Sequence, residues 1–190
     1  MTFNRQSPRE HPDQLRIGLV SVSDRASSGQ YQDQGIPALR RWLDSALTVA
    51  PAYLERLIPD ERAQITGTLV ELVEAGCDLI LTTGGTGPAR RDVTPEAVEP
   101  LFEKRMDGFS EVFHRISYDK IGTSTVQSRA TAGVAGATYI FVLPGSPGAC
   151  KDAWDGIIRD QLDYRHMPCN FIEIMPRLDE HLKRGKAQAP

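Results

Sequence analysis

Four consecutive residues, Leu79-Ile80-Leu81-Thr82, form an apolar, partly β-branched run that Thr83 carries into Gly84-Gly85. A run this short, stopped by glycines, reads as a buried strand feeding a tight turn. Three further stretches, residues 15–22, 52–58 and 138–143, read as strands as well, the second with poor alternation. Between them the apolar spacing changes from strand-like to helical. Ile36, Leu39, Trp42, Leu43, Ala46 and Leu47 mark one helix with Pro37 in its first turn, and Ile65, Leu69, Leu72 and Val73 mark a second that ends near Gly76. Thr94-Pro95-Glu96 reads as a hydroxyl-capped helix start, Val98, Leu101 and Phe102 as its apolar side, and Phe109, Val112, Phe113 and Ile116 as the next helix. A last helix is expected at about 149–162, and 171–174 suggest an added edge strand. Residues 117–137 resist assignment, with the Gly/Ala-rich 130–137 open between helix and loop.

Strand and helix thus alternate four times, which predicts an α/β fold: a three-layer, doubly wound, mostly parallel sheet with helices on both faces. In such sheets the loops leaving the carboxyl ends of the strands share one edge, and ligands bind there. Four segments fall on that predicted rim: 21–25, 59–61, 83–92 and 144–148. A chain of 190 residues accommodates one such domain, here placed at 15–178 between flexible tails at 1–14 and 179–190.

Composition narrows the function classes. The formal net charge of −3, with both signs interspersed, provides no footprint for nucleic acid. No apolar run is long enough to span a membrane, and the N-terminus lacks the apolar region of an export signal. Three cysteines, Cys77, Cys150 and Cys169, without Cys-x-x-Cys spacing argue against a disulfide framework or a structural zinc site. A cytoplasmic protein is expected.

The loop after Thr82 concentrates polar chemistry. Gly84, Gly85 and Gly87 permit close approach of backbone N–H groups to an anion, hydroxyls flank them on Thr83 and Thr86, and Arg90, Arg91 and Asp92 follow. Neither standard phosphate motif is present: no lysine follows Gly87 as a P-loop needs, and Arg90 stands where a dinucleotide fingerprint has its third glycine. Asp60 and Asp92 come from two loops of the same rim and could share a Mg2+ arriving with nucleotide phosphates, or serve only as a helix cap and a turn acid. Arg25, Arg90, Arg91 and Arg129 are candidate phosphate or carboxylate partners, and Ser146 either donates to a phosphate or shapes its turn. His114 and the two tryptophans, Trp42 and Trp154, read as structural. The absence of a Ser-His-Asp or Cys-His arrangement disfavours covalent catalysis, whereas phosphoryl and nucleotidyl transfer run on positioning and charge stabilisation.

The segments Ile17-Gly18-Leu19-Val20-Ser21-Val22-Ser23-Asp24-Arg25, Pro59-Asp60-Glu61, Thr82 through Asp92 into Val93-Thr94-Pro95-Glu96-Ala97, and Pro144-Gly145-Ser146-Pro147 together resemble the molybdopterin adenylyltransferase family of molybdenum cofactor biosynthesis. The resemblance implies a homotrimer that uses Mg2+ and ATP to adenylylate the terminal phosphate of molybdopterin with release of pyrophosphate, in company with other molybdenum cofactor biosynthesis proteins. Asp60 and Asp92 match the family's catalytic and metal-handling acids. The candidate substrate and nucleotide contacts are Ser23, Asp24, Arg25, Thr83, Gly84, Gly85, Thr86, Gly87, Arg90, Ser128, Arg129, Pro144, Gly145 and Ser146. The second half, including residues 121–130 and 168–171, is more similar to the sister branch called MoaB. A molybdopterin- or nucleotide-binding paralogue of weak activity therefore stands as the alternative, ahead of a scaffold role or an NAD-type oxidoreductase.

Overall fold

The computed structural model describes residues 14–180. The tails expected at 1–14 and 179–190 lie, apart from Gln14, Asp179 and Glu180, outside the described residues.

In chain order the elements are β1 (Arg16–Val22), α1 (Asp24–Ser27), α2 (Gly35–Ala46), β2 (Ala52–Ile58), α3 (Arg62–Glu74), β3 (Leu79–Thr83), α4 (Thr94–Val98), β4 (Lys104–Arg105), α5 (Asp107–Ile121), β5 (Thr131–Ala135), β6 (Thr138–Leu143), α6 (Pro147–Ala153), α7 (Arg159–Gln161) and α8 (Phe171–Ile174). The six strands form one sheet in the order β2-β1-β3-β6-β5-β4. Strands β2, β1, β3 and β6 run parallel; β5 is antiparallel to both β6 and β4. This is the expected mostly parallel sheet with helices on both faces.

Alternation within each central strand builds two cores at once. Ile17, Leu19, Leu79, Leu81, Phe141 and Leu143 point to one face, under α2, α5 and α6, while Val20, Ile80, Ile140 and Val142 point to the other, under α3 and α4. Leu79, Ile80 and Leu81 are all fully buried, so cutting any of them back to alanine costs about 2–5 kcal/mol. That double burial explains why the strands read as continuous apolar runs.

Four expectations need correction. Within residues 130–137, Thr131–Ala135 form a strand rather than helix or loop: β5 and β6 make a tight hairpin through the turn at Gly136 and Ala137, both at positive φ (54° and 66°). The small residues of β5 suit its neighbours, since a Cβ on Gly133 would come within 2.4 Å of the Phe102 ring. Residues 171–174 are helix rather than edge strand. Asn170 caps them by accepting from the Glu173 N–H at 2.9 Å, and the Phe171 ring packs on Tyr139 and Phe141. The helix expected at 149–162 starts earlier, at Pro147, and passes through a π-helical turn at Trp154–Ile158. Thr94 does not cap α4; its hydroxyl donates to the Gly84 carbonyl at 2.9 Å, anchoring the helix to the glycine loop.

Candidate active site

Strand order places a crevice. The chain leaves β1 toward β2 on one side, while β3 and β6 line up on the other, so the direction of winding reverses beside β1. Ser21 pairs with Thr83 across β1 and β3, Thr83 with Leu143 across β3 and β6, and Val22 with Ile58 across β1 and β2. The four rim segments therefore emerge side by side, at the position where doubly wound folds bind ligands. They surround a cleft of about 820 Å³, a size suited to a nucleotide or pterin.

Each wall has a local cause. Ser23 closes the start of α1 by accepting from the Ala26 N–H at 3.2 Å, and its own N–H donates to Ile58 at 2.8 Å, fastening the end of β1 to the end of β2. Asp24 and Asp60 then lock reciprocally. The Asp24 N–H donates to Asp60 Oδ2 at 2.9 Å, and the Asp60 N–H donates to Asp24 Oδ1 at 3.0 Å. Arg91 forks onto Asp24 from the glycine loop, with Nε to Oδ2 at 3.0 Å and Nη2 to Oδ1 at 2.8 Å.

The glycine loop shapes the carboxylates. Gly85 sits at φ +64°, and a Cβ there would lie 2.2 Å from Thr94 Oγ1 and 2.9 Å from Asp60 Oδ1. On Gly87 a Cβ would lie 2.7 Å from Asp92 Oδ2. Both acids thus occupy space that glycine leaves open. The Ala89 N–H donates to Asp92 Oδ2 at 3.1 Å, holding the second acid from within its own loop.

The electrostatics separate the acids. The Arg91 fork holds the Asp24 carboxyl below its ordinary value. Burial pushes Asp60 above its ordinary value, and the neighbouring charges of Asp24 and Asp92 push the same way. Carboxylates crowded against one another favour a cation between them. Among the described residues no group of three or more His, Cys, Asp and Glu side chains forms a ready metal cage. One or two carboxylates completed by phosphate oxygens and water is the donor set Mg2+ prefers, so Asp60 and Asp92 fit that ion.

Of the residues expected to form the site, Ser23, Asp24, Arg25, Asp60, Thr83, Gly84, Gly85, Asp92 and Gly145 line the cleft. Thr86, Gly87, Arg90, Ser128, Arg129, Pro144 and Ser146 lie outside that lining. Ser146 caps α6, accepting from the Ala149 N–H at 3.4 Å, and the Pro144 carbonyl receives both the Thr83 hydroxyl at 3.0 Å and the Cys150 thiol at 2.9 Å. Burial pushes that thiol up to about 11, which removes Cys150 as a nucleophile. His114 lies between the carbonyls of Ser110 and Ser128, at 2.6 and 3.0 Å, in the structural position its sequence neighbours suggest.

Sequence reasoning missed one wall, formed by Gln30, Tyr31, Asp33 and Gln34. Asp33 accepts from the Ile36 N–H at 3.0 Å and from the Ser21 hydroxyl at 2.6 Å, tying the start of α2 to β1. Tyr31 is 43% exposed, and Arg25 lies over its ring at 5.4 Å. An aspartate just before Gly35-Ile36-Pro37 was the available signal for the start of α2.

Comparison with known proteins follows the same lines. A family model described as a probable molybdopterin binding domain matches residues 18–164. The chain is 53% identical over 144 residues to the molybdopterin adenylyltransferase of Escherichia coli K12, covering 75% of this chain and 73% of that one. It is 43% identical over 161 residues to molybdenum cofactor biosynthesis protein B of the same organism, covering 82% and 90%. Among solved structures, a molybdopterin biosynthesis protein from Mycobacterium abscessus superposes with a TM-score of 0.72 at 28% identity, covering 88% of this chain and 98% of that one.

Proposed function

The chain belongs to the probable molybdopterin binding domain family, and we propose that it is a molybdopterin adenylyltransferase of molybdenum cofactor biosynthesis, transferring AMP from ATP to the terminal phosphate of molybdopterin. The observation that carries this reading is the placement of Asp60 and Asp92 on two loops of one cleft, each against a glycine of the family motif. The 53% identity to a named adenylyltransferase supports the same reaction.

In this reading an oxygen of the molybdopterin phosphate attacks the α-phosphorus of ATP, a new P–O bond forms, and the bond to the β-phosphate oxygen breaks to release pyrophosphate. Asp60 and Asp92 would hold Mg2+, which when bound supplies positive charge to the phosphates. The chain's own residues do the positioning. Backbone N–H groups of the glycine loop meet phosphate oxygens, Ser23 offers a hydroxyl at the end of β1, and Arg25 contributes a cation at the cleft. Burial and the charges of Asp24 and Asp92 disfavour the Asp60 anion in the free protein, and a cation bound beside it would relieve that cost.

The reading includes a homotrimer, and Tyr118, Ile121 and Val126, exposed together around the end of α5, support self-association there. It places the protein in the reducing cytoplasm, where Cys77, Cys150 and Cys169 form no disulfide, in company with other molybdenum cofactor biosynthesis proteins. The test is label transfer from ATP carrying its label at the α-phosphorus. Labelled molybdopterin that forms only when protein and Mg2+ are present supports the assignment; bound molybdopterin that never acquires label sinks it and favours a binding paralogue.

A further inference from the structure

Arg129 follows the 3-10 turn of Gly122–Gln127 and precedes β5. Its guanidinium is turned onto the loop that carries Asp92. Nε and Nη2 donate to the Gly87 carbonyl at 3.1 and 2.8 Å, Nη2 also donates to the Asp92 carbonyl at 2.6 Å, and Nη1 pairs with Glu96 in the first turn of α4. The Arg129 N–H donates to the Thr86 carbonyl at 3.1 Å. One residue therefore closes both ends of the loop, from Thr86 and Gly87 to Asp92, through main chain and side chain together.

Only a planar fork with several donors in fixed directions can make this set of contacts; an ammonium reaches one or two of them. Burial works to raise the Glu96 pKa, but the Arg129 hydrogen bond and charge, together with Glu96's own backbone N–H and the charge of Arg62, leave the carboxyl below its ordinary value, so the pair stays ionised. The loop has further bonds of its own, from Asp92 N–H to the Ala89 carbonyl at 2.9 Å and from Ala89 N–H to Asp92 Oδ2. These orient the Asp92 carboxylate relative to the loop, while the Arg129 contacts orient the loop relative to the sheet.

We infer that Arg129 is the positioning residue for Asp92: its fork sets the direction in which that carboxylate enters the cleft, without itself touching the ligand. The inference rests on the reading of Asp92 as a metal and nucleotide ligand given above. It assigns to the second half of the chain a direct hold on the acid supplied by the first half.

The test compares Arg129→Gln and Arg129→Lys, each in the wild-type and the Asp92→Asn backgrounds. Hydrogen exchange of the ligand-free protein over residues 86–92, binding of Mn2+ with ATP followed by the Mn2+ paramagnetic signal, and pyrophosphate release are read in parallel. Both Arg129 variants should melt close to wild type yet exchange faster over 86–92. They should bind Mn2+ with ATP about tenfold more weakly, the scale expected for losing a group that orients a ligand. In the Asp92→Asn background they should cause no further loss, because the residue through which Arg129 acts is gone. Unchanged exchange over 86–92, recovery of wild-type affinity by Arg129→Lys, or losses that multiply with those of Asp92→Asn would each overturn the inference. A wild type that binds Mn2+ with ATP but releases no pyrophosphate refutes the transferase reading instead, and the exchange and binding data still decide the role of Arg129.

Discussion

Asp24 and Asp60 hold each other by reciprocal backbone-to-carboxylate hydrogen bonds, Asp24 N to Asp60 Oδ2 at 2.9 Å and Asp60 N to Asp24 Oδ1 at 3.0 Å. The loop after β1 and the loop after β2 are thereby fixed to one another at the mouth of the cleft. Only one of the two carboxylates has a cationic fork on it, and that asymmetry leaves Asp60 available for a cation.

Asp60→Asn should therefore separate stability from function. The folded pKa of Asp60 is raised above its ordinary value, so ionising it opposes folding as pH rises through that interval, and the opposition persists at neutral pH. Asparagine keeps the acceptor for the Asp24 N–H but removes the charge. Thermal melting at pH 7 should show a variant at least as stable as wild type, with the difference vanishing below the ordinary carboxylate pKa. Turnover should fall about 10²–10³-fold, the scale for removing one preorganised charge from a transfer site. A variant that loses stability and activity together would show Asp60 to be structural.

Gly85→Ala should do the reverse, damaging both. The new methyl meets Thr94 Oγ1 and Asp60 Oδ1, and the residue must hold φ +64°. The expected loss is about 1–3 kcal/mol in denaturant unfolding, accompanied by loss of turnover because Asp60 must move. A fully active and fully stable Gly85→Ala protein would contradict the tight packing of loop against acid.

Tyr31→Leu should affect binding more than chemistry. Tyr31 presents an aromatic face in the cleft wall, with Arg25 over its ring at 5.4 Å. Losing a stacking surface for a planar purine or pterin should raise KM for one of the two substrates about tenfold, with kcat nearly unchanged. Steady-state kinetics with each substrate varied in turn would show which ring the wall receives; equal KM values in variant and wild type for both would remove Tyr31 from the site.

The central strands and the glycine loop were legible in sequence because one cause governs each. Burial on both faces makes β3 and β6 continuous apolar runs, and the turn after β3 requires residues without a Cβ at Gly85 and Gly87. β5 was illegible because its small residues suit a partner, the Phe102 ring, thirty-one positions from Gly133 in the chain, and because Gly136-Ala137 is an uncommon pair for a tight hairpin. The wall at Tyr31 depends on where α2 starts, which the Asp33 cap sets through contacts with Ser21 that spacing does not reveal. For Arg129 the limit was chemical. A guanidinium fork suits a phosphate and a pair of backbone carbonyls equally well, and only the fold shows that it meets Gly87 and Asp92.

The most direct measurement is pyrophosphate release from ATP and Mg2+, with and without molybdopterin, by the wild-type protein and by Asp92→Asn. Release that requires molybdopterin and falls at least about 10²-fold in the variant is the result expected if the two-acid cleft performs adenylyl transfer. Release that ignores molybdopterin, or that continues unchanged in Asp92→Asn, would contradict it.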